Sequence, residues 1–132
     1  KPNVSKGKVL LMDDEALIRL FITQHIINLK YEVETAEDGA EAIGLYKRAM
    51  ESDKPFDAVI MDLTIPGGMG GKETIERLLE IDPEVRAIVA SGYADDPIMA
   101  EFNKYGFSGV LVKPYEIDEL DEVLQKVIKE VS

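Results

Sequence analysis

Five short apolar runs alternate strictly with helical patterns along this chain, and this alternation constrains the fold more than any other feature. The helical stretches carry apolar residues three and four positions apart: Leu17, Leu20 and Phe21 mark the first helix, and the series from Leu120 to Val131 marks the last. Strands that alternate with helices form a parallel sheet with right-handed crossovers and helices on both faces. We therefore predict an α/β fold, a doubly wound five-stranded parallel sheet with five helices. The predicted strands are 9–12, 31–35, 58–61, 87–90 and 109–112.

The strands and helix ends can be characterised further. The first, third and fifth runs are apolar almost throughout, which predicts strands buried on both faces, whereas the second alternates and predicts an edge or partly exposed strand. Asp38 and Glu41 have the spacing of a capping box at a helix start. Asp96 before Pro97 predicts the start of the fourth helix, and Gly106 predicts its end.

Size and composition limit the classes of function. With 132 residues and no dividing linker, we expect one domain over 1–132 with a core of about 7–128. The formal charge of −11 repels nucleic-acid phosphates and argues against a nucleic-acid partner, and the absence of Cys rules out disulfides and thiolate chemistry. The chain has no apolar run long enough to cross a bilayer and no signal-peptide pattern at its polar start. We expect a cytoplasmic domain without direct membrane contact.

Polar groups follow four of the five predicted strands. Asp13 and Asp14 come after the first strand, Asp62 after the third, Ser91 after the fourth and Lys113 after the fifth. Parallel strands bring their carboxyl ends to one edge of the sheet, where ligands bind in such folds. Three carboxylates in one place repel each other unless a cation lies between them, and oxygen ligands favour Mg²⁺. These residues therefore predict a magnesium site.

A carboxylate held beside Mg²⁺ can attack phosphorus and form an aspartyl phosphate. The transferring group carries negative charge on its oxygens, which Mg²⁺, an ammonium group and a hydroxyl donor can share. Simpler interpretations stay open for each residue. Asp13 and Asp14 could cap the first helix, Asp62 could form a turn, and Ser91 and Lys113 could be solvated loop residues.

Two other features do not indicate chemistry. His25 has no second metal-type ligand at helical spacing and is interpreted as a surface or boundary residue. The glycine-rich stretch 67–71 lacks the Lys-Ser/Thr of a phosphate-binding P-loop and is interpreted as a connector to the third helix.

The chain resembles response-regulator receiver domains over roughly residues 7–128. The segments that carry the resemblance are 9–15, 61–63 with Pro66, 91–93 and 113–115. The resemblance implies the flavodoxin-like strand order 2-1-3-4-5. It also implies a two-component or phosphorelay function, with phosphohistidine on a histidine kinase or a histidine phosphotransfer domain as the donor. The sequence is similar in style to receivers attached to hybrid sensor histidine kinases.

The resemblance implies a Mg²⁺ site with four contributing residues. Asp14 looks like the direct ligand, and Asp13 looks like one that acts partly through water. Asp62 and the backbone carbonyl of Thr64 resemble the remaining protein ligands.

The resemblance also implies how the phosphoryl group is held. Asp62 looks like the phosphoacceptor, with Ser91 donating a hydrogen bond to one phosphoryl oxygen and Lys113 neutralising another. The Lys113–Pro114 peptide looks like the cis bond of the family.

The chain departs from the family pattern at two places. Val110 stands three residues before Lys113, where the family usually has Tyr or Phe, and Tyr93 or Phe107 are the aromatic residues that could replace it. The segment after Pro66 is one residue longer and richer in Gly than usual. The missing aromatic favours a relay receiver over one with the usual output switch.

Three functions follow from these observations. The first is a phosphoacceptor receiver that catalyses its own phosphorylation and slow dephosphorylation, whether or not a parent histidine kinase carries it. The second is a Mg²⁺-dependent phosphatase with an aspartyl nucleophile. Such enzymes commonly place an acid two residues after the nucleophile, where this chain has Thr64. The third is a degenerate receiver that only binds partners.

Overall fold

The computed structural model describes residues 5–129, so Val131 and both ends of the predicted domain lie outside the described residues. Strands and helices alternate as predicted. The strands are β1 (Lys8–Met12), β2 (Glu32–Ala36), β3 (Ala58–Asp62), β4 (Ala87–Ser91) and β5 (Gly109–Val112). The helices are α1 (Ala16–Asn28), α2 (Gly39–Met50), α3 (Gly71–Ile81), α4 (Pro97–Ala100) and α5 (Ile117–Lys129), with a 3-10 helix at Phe102–Tyr105.

The five strands form one parallel sheet in the order β2-β1-β3-β4-β5, which confirms the predicted fold and the edge position of β2. Side chains alternate between the two faces of the sheet. In β1, Leu10 and Met12 pack with α2 and α3, while Val9 and Leu11 pack with α1 and α5. Because the central strands are covered on both faces, they read as continuous apolar runs.

The prediction that β5 is buried on both faces is wrong. β5 is the second edge of the sheet, and Val112 is 45% exposed while Val110 is partly buried. A four-residue apolar run cannot distinguish a central strand from an edge strand that is packed mainly on one side.

The predicted helix caps are present. Asp38 Oδ1 accepts a 3.0 Å hydrogen bond from Glu41 N, and the Glu41 carboxylate accepts one of 2.8 Å from Glu37 N, one residue before the expected partner. At the start of α4, the Asp96 side chain accepts from Ile98 N.

The fourth helix is shorter than its apolar spacing predicted. Glu101 leaves the helical conformation with φ −122° and ψ 45°, and the chain continues as the 3-10 helix. Gly106 ends this segment with φ +97°, a conformation that favours glycine. A Cβ at Gly106 would also lie 2.6 Å from Leu79 Cδ1, so the end of that leucine side chain would have to move to admit one.

Helix α1 buries different residues from those that mark it in the sequence. Ile22 and Ile26 face the core, whereas Leu17 is 80% exposed, Phe21 61% and Leu20 59%. Within residues 5–129, no helix has both the length and the apolar character needed to span a bilayer.

Candidate active site

The carboxyl ends of β1, β3, β4 and β5 meet at one edge of the sheet. Asp62 is the last residue of β3 and pairs with Ala90 of β4, and Ser91 ends β4 beside Val112 of β5. The backbone N–H of Lys113 donates to Ser91 O at 2.8 Å, which carries the register one residue beyond β5. The Lys113–Pro114 peptide is cis, as expected.

The structure brings together the three predicted carboxylates and the predicted lysine. Lys113 Nζ lies 3.0 Å from Asp13 Oδ2 and 3.1 Å from Asp62 Oδ2. Carboxylate oxygens of Asp13, Asp14 and Asp62 all lie within 4.8 Å of one another. Asp13 is 4% exposed and Asp14 is exposed, so the cluster opens to solvent on the Asp14 side.

Neither aspartate after β1 caps helix α1. The helix begins after Glu15 without a side-chain cap, and Asp13 Oδ1 accepts instead from Glu15 N, ahead of the first helical residue, at 2.9 Å. The other oxygen of Asp13 is engaged by Lys113. The simple capping interpretation therefore does not describe these residues.

Ser91 joins the site through its backbone. Its side chain is buried, and its Oγ accepts a hydrogen bond from Tyr93 N at 3.1 Å. Among the residues that the structure describes, no hydrogen bond links Ser91 Oγ to a site carboxylate, and the hydroxyl has no acceptor. Its proton is thus available to a ligand at this edge.

The charges of the site perturb each other. Burial raises the pKa of the Asp62 carboxyl; Lys113 opposes this effect, and the nearby Asp13 and Asp14 add to it. Burial acts to lower the pKa of Lys113, but its contacts with Asp13 and Asp62 together outweigh burial, so the pKa is raised. The lysine therefore stays protonated. The ionised form of Asp62 carries an electrostatic free-energy penalty, which an additional cation would reduce.

Tyr115 lies close enough to Asp13 and Asp62 to feel their charge, and it remains a neutral phenol. Burial raises its pKa, and the negative charges of Asp13 and Asp62 raise it further.

Sequence reasoning missed a second neighbour, Arg19, whose Nη1 donates to the backbone carbonyl of Asp13 at 2.7 Å. Every residue has a backbone carbonyl, so this contact requires no particular residue type as the acceptor, and no sequence motif indicates it.

The donor set fits a hard divalent cation. Three carboxylates face one ammonium, which leaves an excess of negative charge, and all the candidate ligand atoms are oxygens. The carbonyls that flank Thr64 are engaged: Leu63 O accepts from Gly71 N, and Ile65 O accepts from Gly68 N. Within residues 5–129 the Thr64 carbonyl has no such donor, so it is available as a ligand.

An apolar groove runs from the site along helix α1. Ile18, Phe21 and Ile22 form one wall, and Lys113, Pro114 and Tyr115 form the other. A second apolar pocket, which shares Phe21, Ile22 and Tyr115 with the first, is also lined by His25, Ile117 and Leu120. His25 contacts the Phe21 ring edge-on at a centroid distance of 4.4 Å, which agrees with its interpretation as a boundary residue.

Comparisons with known proteins agree with this geometry. The family model described as "Response regulator receiver domain" matches residues 9–125. The chemotaxis protein CheY of Thermotoga maritima is 36% identical over 123 residues, which are 92% of this chain and 98% of that protein. The sporulation initiation phosphotransferase F of Bacillus subtilis is 28% identical over 121 residues, 92% of this chain and 93% of that protein.

A solved structure shares the fold and contains the ion that the donor set predicts. It is the CheX-CheY-BeF₃-Mg²⁺ complex of Borrelia burgdorferi, with a TM-score of 0.84 and 25% identity. The match covers 93% of this chain and 90% of that chain.

Proposed function

Since this chain belongs to the response-regulator receiver family, we propose that Asp62 is the residue that accepts the phosphoryl group. The chain is a receiver domain of two-component systems, and receiver domains bind Mg²⁺ in their acidic site. The single observation that carries the assignment is the contact of Lys113 Nζ with both Asp13 and Asp62. This contact supports the assignment, because the proposed nucleophile, a proposed metal-binding acid and a cation then belong to one hydrogen-bonded group.

Asp13, Asp14, Asp62 and the Thr64 carbonyl would hold Mg²⁺, with Asp13 acting partly through water. When bound, Mg²⁺ supplies positive charge that balances these carboxylates and draws in the oxygens of an incoming phosphoryl group. The raised pKa of Asp62 supports this role, because burial and the neighbouring acids together outweigh the opposing effect of Lys113.

In the transfer step, a carboxylate oxygen of Asp62 attacks phosphorus in a phosphohistidine. The new P–O bond forms as the P–N bond breaks, and the electron pair of that bond leaves with the imidazole nitrogen of the donor. Lys113 neutralises one phosphoryl oxygen, and the Ser91 hydroxyl donates a hydrogen bond to another. Slow loss of the group requires attack of water on the same phosphorus.

The first test of this function is the dependence of phosphoryl uptake on the metal. The chain should take up at most one phosphoryl group from a small-molecule phosphodonor when Mg²⁺ is present, and almost none when EDTA replaces it. Intact-protein mass spectrometry measures the uptake. Equal uptake with and without Mg²⁺ would refute the metal site, and turnover of phosphate esters in many cycles would favour the phosphatase alternative.

The donor protein needs a docking surface beside Asp62, and helix α1 offers one. Its exposed apolar patch consists of Leu17, Leu20 and Phe21, and the helix contains no acidic residue in a chain of net charge −11. Phe21 also lines the groove that leads to Lys113. We therefore propose that a histidine kinase or a histidine phosphotransfer domain packs on this patch and presents its phosphohistidine to the site.

Substitutions in the α1 patch should separate docking from chemistry. We expect Leu20→Gln and Phe21→Gln each to slow transfer from a phosphohistidine protein about tenfold, because the few residues that anchor an interface each cost roughly 1 kcal/mol or more when they are truncated. Uptake from the small-molecule donor should stay at the wild-type rate. Met50→Gln is the matched control, since Met50 is similarly exposed at the end of α2. Equal rates with the protein donor would refute the docking surface.

A relay role agrees with the aromatic residues near β5. Phe107 is buried in the core, while Tyr93 is 69% exposed. Val110 occupies the position of the usual aromatic and packs partly against the core. We propose that the domain passes its phosphoryl group on, and attachment to a hybrid sensor kinase stays a prediction.

A further inference from the structure

Arg19 connects two loops beside the acidic site without contacting the site carboxylates. Its Nη1 donates to the backbone carbonyl of Asp13 at 2.7 Å, and its Nη2 lies 3.7 Å from Glu37 Oε2 in the β2–α2 connection. The Arg19 side chain is only 17% exposed, so the guanidinium is held against the protein. Because it bonds a backbone group of the site, it can affect the ligands only by placing them.

Asp13 is anchored at every polar group. Its N–H donates to Ala36 O at 3.0 Å, and its carboxylate accepts from Glu15 N and Lys113 Nζ. The fourth group is the carbonyl that Arg19 binds. This carbonyl belongs to the peptide that joins Asp13 to Asp14, so the guanidinium fixes the plane of that peptide.

Asp14 depends on this plane more than Asp13 does. The Asp14 side chain is exposed, and in the described part of the chain no hydrogen bond holds its carboxylate. The backbone therefore decides which positions its rotamers can reach. A rotation of the preceding peptide would carry the Asp14 oxygen away from the oxygens of Asp13 and Asp62.

We propose that Arg19 is a positioning residue for Mg²⁺, acting through the peptide between Asp13 and Asp14. The proposal rests on the metal site of the proposed function. Groups that orient metal ligands typically change metal affinity 10- to 100-fold when they are removed. A simple charge effect acts in the opposite direction, because a nearby guanidinium repels the ion and its loss would strengthen binding.

These opposite signs make the test decisive. Mg²⁺ affinity is measured by isothermal titration calorimetry on the full chain for the wild type, Arg19→Lys and Arg19→Gln. We expect Arg19→Gln to weaken Mg²⁺ binding about tenfold. The Mg²⁺ affinity of Arg19→Lys should lie between those of the wild type and Arg19→Gln, because an ammonium can reach the carbonyl but lacks the planar guanidinium fork. Unchanged or tighter binding in Arg19→Gln would overturn the proposal.

Arg77→Gln is the matched control, because it removes the same charge from an exposed pair with Glu73 on α3. It should change Mg²⁺ affinity less than twofold. If the Mg²⁺ affinity of Arg77→Gln fell as much as that of Arg19→Gln, the effect would come from general charge or stability, and the proposal would be overturned.

A second measurement distinguishes positioning of the metal from damage to the fold. For Arg19→Gln, the Mg²⁺ concentration that half-saturates phosphoryl uptake should rise, while the rate at saturating Mg²⁺ should return close to the wild-type rate. A rate that stays low at saturating Mg²⁺ would contradict the proposal. Calorimetry reports on the ion alone, so it remains informative even if the acceptor proves to be a residue other than Asp62.

Discussion

Asp62→Asn is expected to take up no phosphoryl group from either a phosphohistidine protein or a small-molecule phosphodonor. The amide has nearly the shape of the carboxylate and can still accept a hydrogen bond from Lys113, but its oxygen is a poor nucleophile. Mass spectrometry of the intact protein after exposure to donor and Mg²⁺ measures the loss. The effect should be complete, because Asp13, the other acid in contact with Lys113, already accepts hydrogen bonds at both carboxylate oxygens, whereas in the described part of the chain only one oxygen of Asp62 does.

Asp118→Asn provides the control for this experiment. Asp118 is exposed in the first turn of α5, so the same chemical change there should leave uptake at the wild-type level. Uptake by Asp62→Asn at the rate of Asp118→Asn would show that the acceptor had been assigned incorrectly.

Asp62→Asn should also be more stable than the wild type in metal-free solution near neutral pH. The pKa of Asp62 is raised in the folded protein, chiefly by burial, so its ionised form favours the unfolded state. This penalty is absent below the unfolded pKa of 3.8 and complete above the raised pKa. The advantage of Asp62→Asn in free energy of unfolding should therefore grow as pH rises above 3.8 and level off above the raised pKa. An advantage that shrinks over this range would contradict the electrostatic description.

Lys113→Met should change metal binding and chemistry in opposite directions. The ammonium lies 3.0 Å from Asp13 and 3.1 Å from Asp62, so it competes with a cation for both carboxylates. Its removal should strengthen Mg²⁺ binding, as measured by calorimetry. The rate of phosphoryl uptake at saturating Mg²⁺ should nevertheless fall about 100-fold or more, because a donor to the charged oxygens is lost.

Lys104→Met is the corresponding control, since Lys104 pairs with Glu101 at the surface and lies outside the site. Neither Mg²⁺ affinity nor uptake should change in this variant. If Lys113→Met kept the wild-type uptake rate, Lys113 would only stabilise the metal-free cluster and would have no role in transfer.

The strand ends were the part of this molecule that sequence could predict well. In a parallel sheet the carboxyl ends of the strands share an edge, so Asp13, Asp62 and Lys113 had to approach one another once the alternation of strands and helices was recognised. The order of the strands could not be obtained from the alternation itself and came from the resemblance to a family.

Helix α1 shows why other features were out of reach. Apolar residues occupy most of its circumference, so spacing predicts a helix but does not select the buried face; Ile22 and Ile26 are buried, while Leu17 and Leu20 are exposed. The choice depends on which neighbours the sheet places beside the helix. Arg19 was missed for a related reason, because its partner is a backbone carbonyl that becomes available only in the folded chain.

Locating the phosphoryl group on the chain tests the common site of Asp13, Asp14, Asp62 and Lys113 most directly. After uptake in the presence of Mg²⁺, reduction of the acyl phosphate with borohydride converts the modified aspartate into a stable residue that peptide mass spectrometry can place. We predict that the label lies on Asp62 alone. A label on Asp13, Asp14 or a residue away from the carboxyl edge of the sheet would contradict the account.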